Sequence, residues 1–472
     1  MADPLELRAE HEPALELALA EAKRFFATLT DGRVLEPEAD EVADAIGGAL
    51  PTEGSGALET LRELAAATPA ATRSAGPRFF HFVIGGSTPA ALAADWLASA
   101  LDQNAGLWTS SPLAAQLESV ALDWLKELFD LPAEWSAVLT TGATMANFVG
   151  LASARRWYGE RHGIDVEEDG LSRLPPVPVF SSGYIHASAE KALAMLGIGT
   201  GGIRRLVRDD AGRLDERALE DELAALDGPS IVIATAGEVN AGGFDPIASM
   251  ADLAERHGAW LHVDGAFGLF ARVTPQAAPL ADGVERAHSV IADGHKWLNV
   301  PYECGFAFVR EQRYQAGAFA AGAPYLTSPE ARPMWGFLGP EMSRRARALA
   351  SWATLRAYGR AGYRAMVERH LALARRVGEQ VEAAPELELL APVDLNVICF
   401  RLHPPGMDDD QSLDELNRRV GAAVIEDARV YFGTTVYRGH ICFRPAIVNW
   451  LTTERDVDLI VETVRELAAV EA

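Results

Sequence analysis

Two charged residues stand at the ends of apolar runs. Asp264 closes the run in WLHVDGA, and Lys296 follows 32 residues later in ADGHKWLN. That separation is about the length of one strand–helix–strand crossover, so both side chains can reach the same edge of a sheet. An aspartate at the end of a buried strand is costly unless a cation or donor meets it, and a pyridinium N–H would be such a donor. The chain has only four lysines, Lys23, Lys126, Lys191 and Lys296. In a sequence that otherwise uses arginine, a lysine kept between His295 and Trp297 points to its amine, which forms a Schiff base as a guanidinium does not. Read as structure alone, Asp264 would be a helix cap and Lys296 a surface charge.

Three further motifs bear on that pair. VLTTGATMANFVGLASARRW reads as a strand, a small-residue turn over Thr141–Thr144 and a helix. Its free amides, helix dipole and Thr144 hydroxyl suit a phosphate, although an ordinary Thr-capped helix has the same pattern. His186 follows the strand-like PVPVFSS and precedes a helix; it can stack on an aromatic ring or simply cap that helix. His262 with Asp264 and Asp293 with His295 form two His/Asp pairs at strand spacing, the pattern of an N/O metal site. That rival reading leaves Lys296 without a role, so no metal is expected. The literal G-x-G-x-x-G at Gly197, Gly199 and Gly202 follows a helical run instead of a strand, which makes Gly197 a helix-terminating glycine.

These residues need a sheet to carry them. The runs AVLTT, PVPVFSS, IVIATAG, AWLHVDGA, SVIADG and CGFAFVR alternate with helical segments, predicting an α/β protein with a mainly parallel sheet covered on both faces. Ligands gather at the carboxyl ends of such strands. Residues 343–380 read as a long helix with a glycine break. LNVICFRL, HICFRPAIV and a helix from Thr453 to Val470 predict a small C-terminal α+β lobe. The first 75 or so residues read as helices, with Leu15, Leu19, Ala22 and Phe26 and then Leu58, Leu61 and Leu64 at helical spacing.

With 472 residues, 49% hydrophobic and 23% charged, the chain can fill a large core. Its net charge of −25 argues against nucleic acid or an anionic membrane surface as partner. The three cysteines, Cys304, Cys399 and Cys442, have neither disulfide-framework nor zinc spacing. The acidic N-terminus lacks the pattern of a signal peptide and no run is long enough to span a membrane, so a soluble cytoplasmic protein is expected.

Taken together, RFFHF, TTGATMAN, IHASAEKA, LGIG, FDPI, WLHVDGAFG, DGHKWLNVPYECG and TTERDVD, in this order, resemble the group II pyridoxal-phosphate-dependent amino acid decarboxylases. That family contains the aromatic amino acid, glutamate and diaminobutyrate decarboxylases. The resemblance spans roughly residues 75–465. It implies the fold-type I architecture, divided here into an N-terminal helical arm (1–80, swapped between subunits), a large cofactor domain (81–355) and a small α+β domain (356–472). It also implies a homodimer with active sites at the subunit boundary.

Carried over to this chain, the resemblance makes Lys296 the residue holding pyridoxal 5'-phosphate as an internal aldimine and Asp264 the partner of the pyridine nitrogen. His186 would stack on the ring and Ala266 would lie on its other face. Gly142, Ala143, Thr144, Asp293 and His295 would surround the phosphate, with Asp293 orienting His295 or a water. Phe80, His81, Phe82 and Trp108, with Trp335, would line a pocket for an aromatic or other sizeable side chain. The reaction implied is a carboxy-lyase step releasing carbon dioxide through an external aldimine and a quinonoid.

One departure stands out. Many members carry a tyrosine on a mobile loop that returns a proton to the carbanion, whereas residues 326–357 hold no tyrosine. Trp335 occupies the aligned stretch, and Tyr325 lies just upstream as a substitute donor, beside His186 or His295. An aldehyde-forming or carbon–carbon lyase outcome is therefore the alternative, and a metal-dependent hydrolase a lower one. Whether Arg344, Arg345 or Arg444 meets a carboxylate or pairs within the protein stays open.

Overall fold

The computed structural model describes residues 3, 5–322 and 332–471. Seven strands build the larger sheet: β1 (Ser136–Thr140), β2 (Val179–Ser181), β3 (Ile203–Arg205), β4 (Ile231–Thr235), β5 (Trp260–Asp264), β6 (Ser289–Asp293) and β7 (Gly305–Val309). Every residue of these strands except two in β3 is buried, the mark of a sheet covered on both faces. Their order is β1-β7-β6-β5-β4-β2-β3. Neighbours from β6 to β3 run parallel, while β7 is antiparallel to both β6 and β1. The reversal at β7 leaves β1 running the same way as β6, so the carboxyl ends of β1, β2, β4, β5 and β6 share one edge.

All six strands predicted from apolar runs form. The seventh, β3, was not predicted, because it is a three-residue edge strand whose Arg204 and Arg205 face solvent, and charge is how edges avoid further pairing. Gly197 terminates the helix Ala187–Met195 with φ 73°, as expected for an out-of-context glycine motif.

The smaller sheet contains β8 (Leu387–Leu389), β9 (Phe400–Leu402), β10 (Thr434–Tyr437) and β11 (His440–Phe443) in the order β10-β11-β9-β8, all antiparallel. The helices Asp410–Asp427 and Glu454–Glu471 bury Val420, Val424, Ile460 and Val464 in the core of this lobe. Each such side chain contributes roughly 1.5–3 kcal/mol on burial. The long helix Ala348–Ala383 breaks at Gly359, whose φ of 59° interrupts the helical backbone. The sulfurs of Cys399 and Cys442, 43 residues apart in sequence, lie 3.4 Å from each other as free thiols.

The N-terminal helices His11–Thr28 and Ala57–Ala66 contain no buried residue, and Leu15, Leu19, Phe26 and Leu64 are exposed. Glu10 Oε2 ties them together by accepting from Ala57 N at 2.7 Å. Their base rests on the small lobe, where Val34 N donates to Ala428 O at 2.8 Å. Among the described residues, no helix is long and apolar enough to cross a membrane.

Candidate active site

At the carboxyl edge, neighbouring parallel strands deliver the two residues first singled out. Asp264 ends β5 and pairs in register with Ile291 of β6, so Asp293 and Lys296 come just beyond it. The Asp264 carboxylate is buried and held on both oxygens: Oδ1 accepts from Ala266 N at 3.1 Å and Oδ2 from Asn147 Nδ2 at 2.8 Å. Lys296 Nζ lies 3.2 Å from Asp293 Oδ2 and 5.7 Å from the centroid of the Phe267 ring.

Asp293 also reaches the turn after β1. Its Oδ1 accepts from Ala143 N at 2.5 Å, the first amide of the helix Ala143–Arg161. His295 Nε2 lies 3.6 Å from Asp293 Oδ2, and its Nδ1 accepts from Cys304 N at 3.3 Å. Burial lowers the His295 pKa, with Asp293 opposing. Tyr302 stacks on the His295 ring with centroids 4.2 Å apart. Gly142 caps this helix at φ 141°, where a Cβ would stand 3.0 Å from His295 Cε1. Only glycine fits a backbone brought so close.

His186 caps the helix Ala187–Met195: its Nδ1 accepts from Ser188 N at 3.1 Å and lies 2.7 Å from Ser188 Oγ. His186 is exposed as a residue, yet the protein packed around it lowers its pKa. Asp264 opposes this, and Lys296 and Arg444 add to it. Arg444 donates to Val239 O at 2.9 Å. Arg344 is committed elsewhere, in a buried two-bond pair with Glu118, and Arg345 pairs with Asp95.

The edge therefore brings together Gly142, Ala143, Thr144, His186, Asp264, Ala266, Asp293, His295 and Lys296. The five residues expected to line one pocket do not gather in the same way. Phe80 is 1% exposed and belongs to the core of the small lobe, its backbone paired with Tyr431 and Ala446. Trp335 is 7% exposed, packs in the main core and donates its indole N–H to Ala115 O at 3.1 Å. Trp108 lies under the Arg332 guanidinium, 4.0 Å from its ring centroid. His81 and Phe82 adjoin, with ring centroids 3.6 Å apart, and Phe82 is 60% exposed. Phe80 and Trp335 are thus core residues: each is large and apolar enough that packing claims it first. Tyr325 lies outside the described residues.

The His262, Asp264, Asp293 and His295 set does not form a metal-holding group; among the described residues no three His, Cys, Asp or Glu side chains do. Both ring nitrogens of His262 are engaged, by Ser289 and by Asn147. Asn147, Ser188 and Ser289 were missed in the sequence. The one usable signal was Ser188, two residues after a histidine at a helix start.

The donor set fits a phosphorylated pyridine aldehyde. A buried carboxylate suits a ring N–H, an amine suits the aldehyde, and a glycine-capped helix N-terminus suits a phosphate. Such an edge on a mainly parallel α/β sheet with a small C-terminal lobe defines a pyridoxal-phosphate enzyme.

Residues 61–403 match the pyridoxal-dependent decarboxylase conserved domain, and the chain belongs to that family. It is an amino acid carboxy-lyase whose cofactor is pyridoxal 5'-phosphate. It is 32% identical over 392 residues to the L-2,4-diaminobutyrate decarboxylase of Rhizobium meliloti (strain 1021), covering 80% of this chain and 76% of that one. To the aromatic-L-amino-acid decarboxylase of Bacillus atrophaeus it is 28% identical over 400 residues, covering 83% and 81%. The crystal structure of Oryza sativa TDC with PLP and tryptamine superposes with a TM-score of 0.90 at 26% identity, covering 100% of this chain and 99% of that one.

Proposed function

We propose that Lys296 carries the cofactor, that Asp264 faces its ring nitrogen and that the amino acid decarboxylated is an aromatic or other sizeable one. The observation behind this reading is the placement of Asp264 and Lys296 beyond adjacent parallel strands, with the Asp264 carboxylate buried and already accepting two hydrogen bonds. Bound pyridoxal phosphate supplies an aldehyde that condenses with amines and a conjugated ring that accepts electrons from the α-carbon.

The chain's residues do the rest. Lys296 Nζ would hold the cofactor through its amine until the substrate amine replaces it. Asp264 keeps a proton on the ring nitrogen. Asp293 already takes the Ala143 amide, so the phosphate falls to the Thr144 hydroxyl, the following amides of that first turn and His295. Asp293 itself orients His295 and lies beside Lys296 Nζ. His186 would stack on the ring, and the proton returned to the α-carbon would come from His186 Nε2 or from Tyr325.

Exposed Phe82 beside His81 suits an apolar substrate side chain, in keeping with the aromatic amino acids and tryptamine named for two of the relatives. The uncovered apolar faces of the N-terminal helices support an arm (1–80) crossing to a second subunit of a cytoplasmic homodimer. The break at Gly359 supports a division near residue 355 between the large and small domains.

Carbon dioxide and amine should be measured over tryptophan, tyrosine, phenylalanine, glutamate and diaminobutyrate, with the parent protein and with Lys296→Ala. Amine from the aromatic acids, lost in the variant, is expected. Turnover of glutamate or diaminobutyrate alone would overturn the substrate reading, and undiminished activity in Lys296→Ala the site reading. Sedimentation with and without residues 1–80 tests the dimer.

A further inference from the structure

Behind the carboxyl edge, a line of buried polar groups runs from Trp260 to His186 through one amide. Trp260 Nε1 donates to Ser289 Oγ at 2.9 Å. Ser289 Oγ lies 2.8 Å from His262 Nδ1, and His262 Nε2 lies 2.8 Å from Asn147 Oδ1. Asn147 Nδ2 then donates to both Asp264 Oδ2, at 2.8 Å, and Ser188 Oγ, at 3.1 Å. Ser188 Oγ ends the line 2.7 Å from His186 Nδ1.

The chemistry of each group permits one arrangement of protons. A carboxylate only accepts, so the amide must turn its NH2 toward Asp264 and its oxygen toward His262. That oxygen requires a proton on His262 Nε2. A neutral imidazole has one, leaving Nδ1 to accept from the Ser289 hydroxyl, which accepts in turn from the donor-only indole. His262 is fully buried, and burial takes its pKa down to about 4, so it stays neutral. On the other branch, Ser188 accepts from Asn147 and gives its own proton to His186 Nδ1, which also accepts from Ser188 N. His186 is left carrying its proton on Nε2, the nitrogen free for substrate. The helix comes this close because residue 150, one turn beyond Asn147, is glycine: a Cβ there would stand 2.7 Å from His262 Cε1 and 3.2 Å from Ser289 Oγ.

We propose that Asn147 is a positioning residue that couples the two working groups of the site, one amide hydrogen fixing the Asp264 carboxylate and the other the Ser188 hydroxyl that holds the His186 ring, with His262 and Ser289 locking the amide's orientation. Asn147 touches neither substrate nor cofactor in this role. The inference rests on Asp264 facing the ring nitrogen.

The test reads protons directly. Apoprotein is titrated with pyridoxal phosphate to obtain its dissociation constant, the ring nitrogen of bound 15N-labelled cofactor is followed by NMR, and the His186 tautomer is read from its imidazole nitrogens in the apoprotein. Asn147→Leu should weaken cofactor binding by about 10- to 100-fold, as expected for one hydrogen bond to a charged group. It should also move the ring nitrogen resonance toward the unprotonated position and shift the His186 Nδ1 resonance, as the Ser188 hydroxyl loses its donor. Ser188→Ala should shift the His186 Nδ1 resonance and leave the ring nitrogen unmoved, the Ser188 N–H still keeping the imidazole proton on Nε2. If Asn147→Leu fails to fold, Ser289→Ala carries the test with a smaller shift of the ring nitrogen in the same direction. An unmoved ring nitrogen in whichever of the two variants folds overturns the proposal. Asp264→Asn separates the failures: if it too leaves the resonance unmoved, the assignment of Asp264 falls, and if it alone moves it, only the role of Asn147 does.

Discussion

Gly150 and His262 face each other across the gap between helix Ala143–Arg161 and strand β5 with no space for even a methyl group. A Cβ on residue 150 would stand 2.7 Å from Cε1 and 2.8 Å from Nδ1 of the imidazole. The ring cannot retreat, since both its nitrogens are bonded. Gly150→Ala should therefore cost about 1–3 kcal/mol in chemical denaturation, the usual range for overpacking, and loosen the cofactor as well. A variant as stable as the parent would mean that the helix can shift without loss.

Lys296→Ala should remove the covalent attachment point. After borohydride treatment the parent should retain cofactor through denaturing chromatography and the variant none, while activity falls by roughly a thousandfold or more, as when other covalent nucleophiles are removed. Retention at Lys191 or Lys126, found by peptide mapping, would relocate the site.

The Glu118–Arg344 pair is buried on both sides, with two hydrogen bonds of 3.1 and 2.8 Å, and Arg344 also donates to Leu139 O at the end of β1. Deleting one partner strands the other charge away from water. Glu118→Gln should destabilise by about 3–5 kcal/mol, measured by urea denaturation; a loss near zero would show that water reaches the pair.

Asp245 links the loop before His186 to β4: its Oδ2 accepts from Ser182 Oγ and Thr235 N, while its buried Oδ1 has no partner. Burial pushes its pKa from 3.8 up to about 7. The folded protein holds this proton more tightly than the unfolded chain, so the stability gained is complete below the unfolded value and is lost as pH rises through about 7. Within that window each pH unit costs up to about 1.4 kcal/mol. Asp245→Asn should flatten the difference between urea midpoints at about pH 5 and about pH 8; an unchanged difference would assign the slope to other groups.

Trp335→Tyr should leave the ratio of amine to aldehyde products as in the parent, because residue 335 is enclosed in the core with its N–H on Ala115 O. Chromatography of products from a turned-over aromatic acid checks this. A shift toward amine would put residue 335 in the proton path after all.

The amino-acid sequence by itself determined the parts set by local pattern. Buried strands appear as unbroken apolar runs, so six of the seven strands of the larger sheet were legible. A charge at the end of such a run must have a partner, which made Asp264 and Lys296 visible. The glycine after helix Ala187–Met195 was readable because a left-handed residue there excludes most others. Short or polar strands such as β3, β8 and β10 carry too few apolar residues to register.

Tertiary structure alone decided which distant groups meet. Asn147 faces His262, 115 residues away, and Arg344 faces Glu118, 226 residues away, since partners are chosen by how helices settle on the sheet. Packing likewise took Phe80 and Trp335 into the two cores and brought Cys399 beside Cys442. A polar residue's type shows what it can bond; only the closed core, where water cannot serve instead, decides what it does bond.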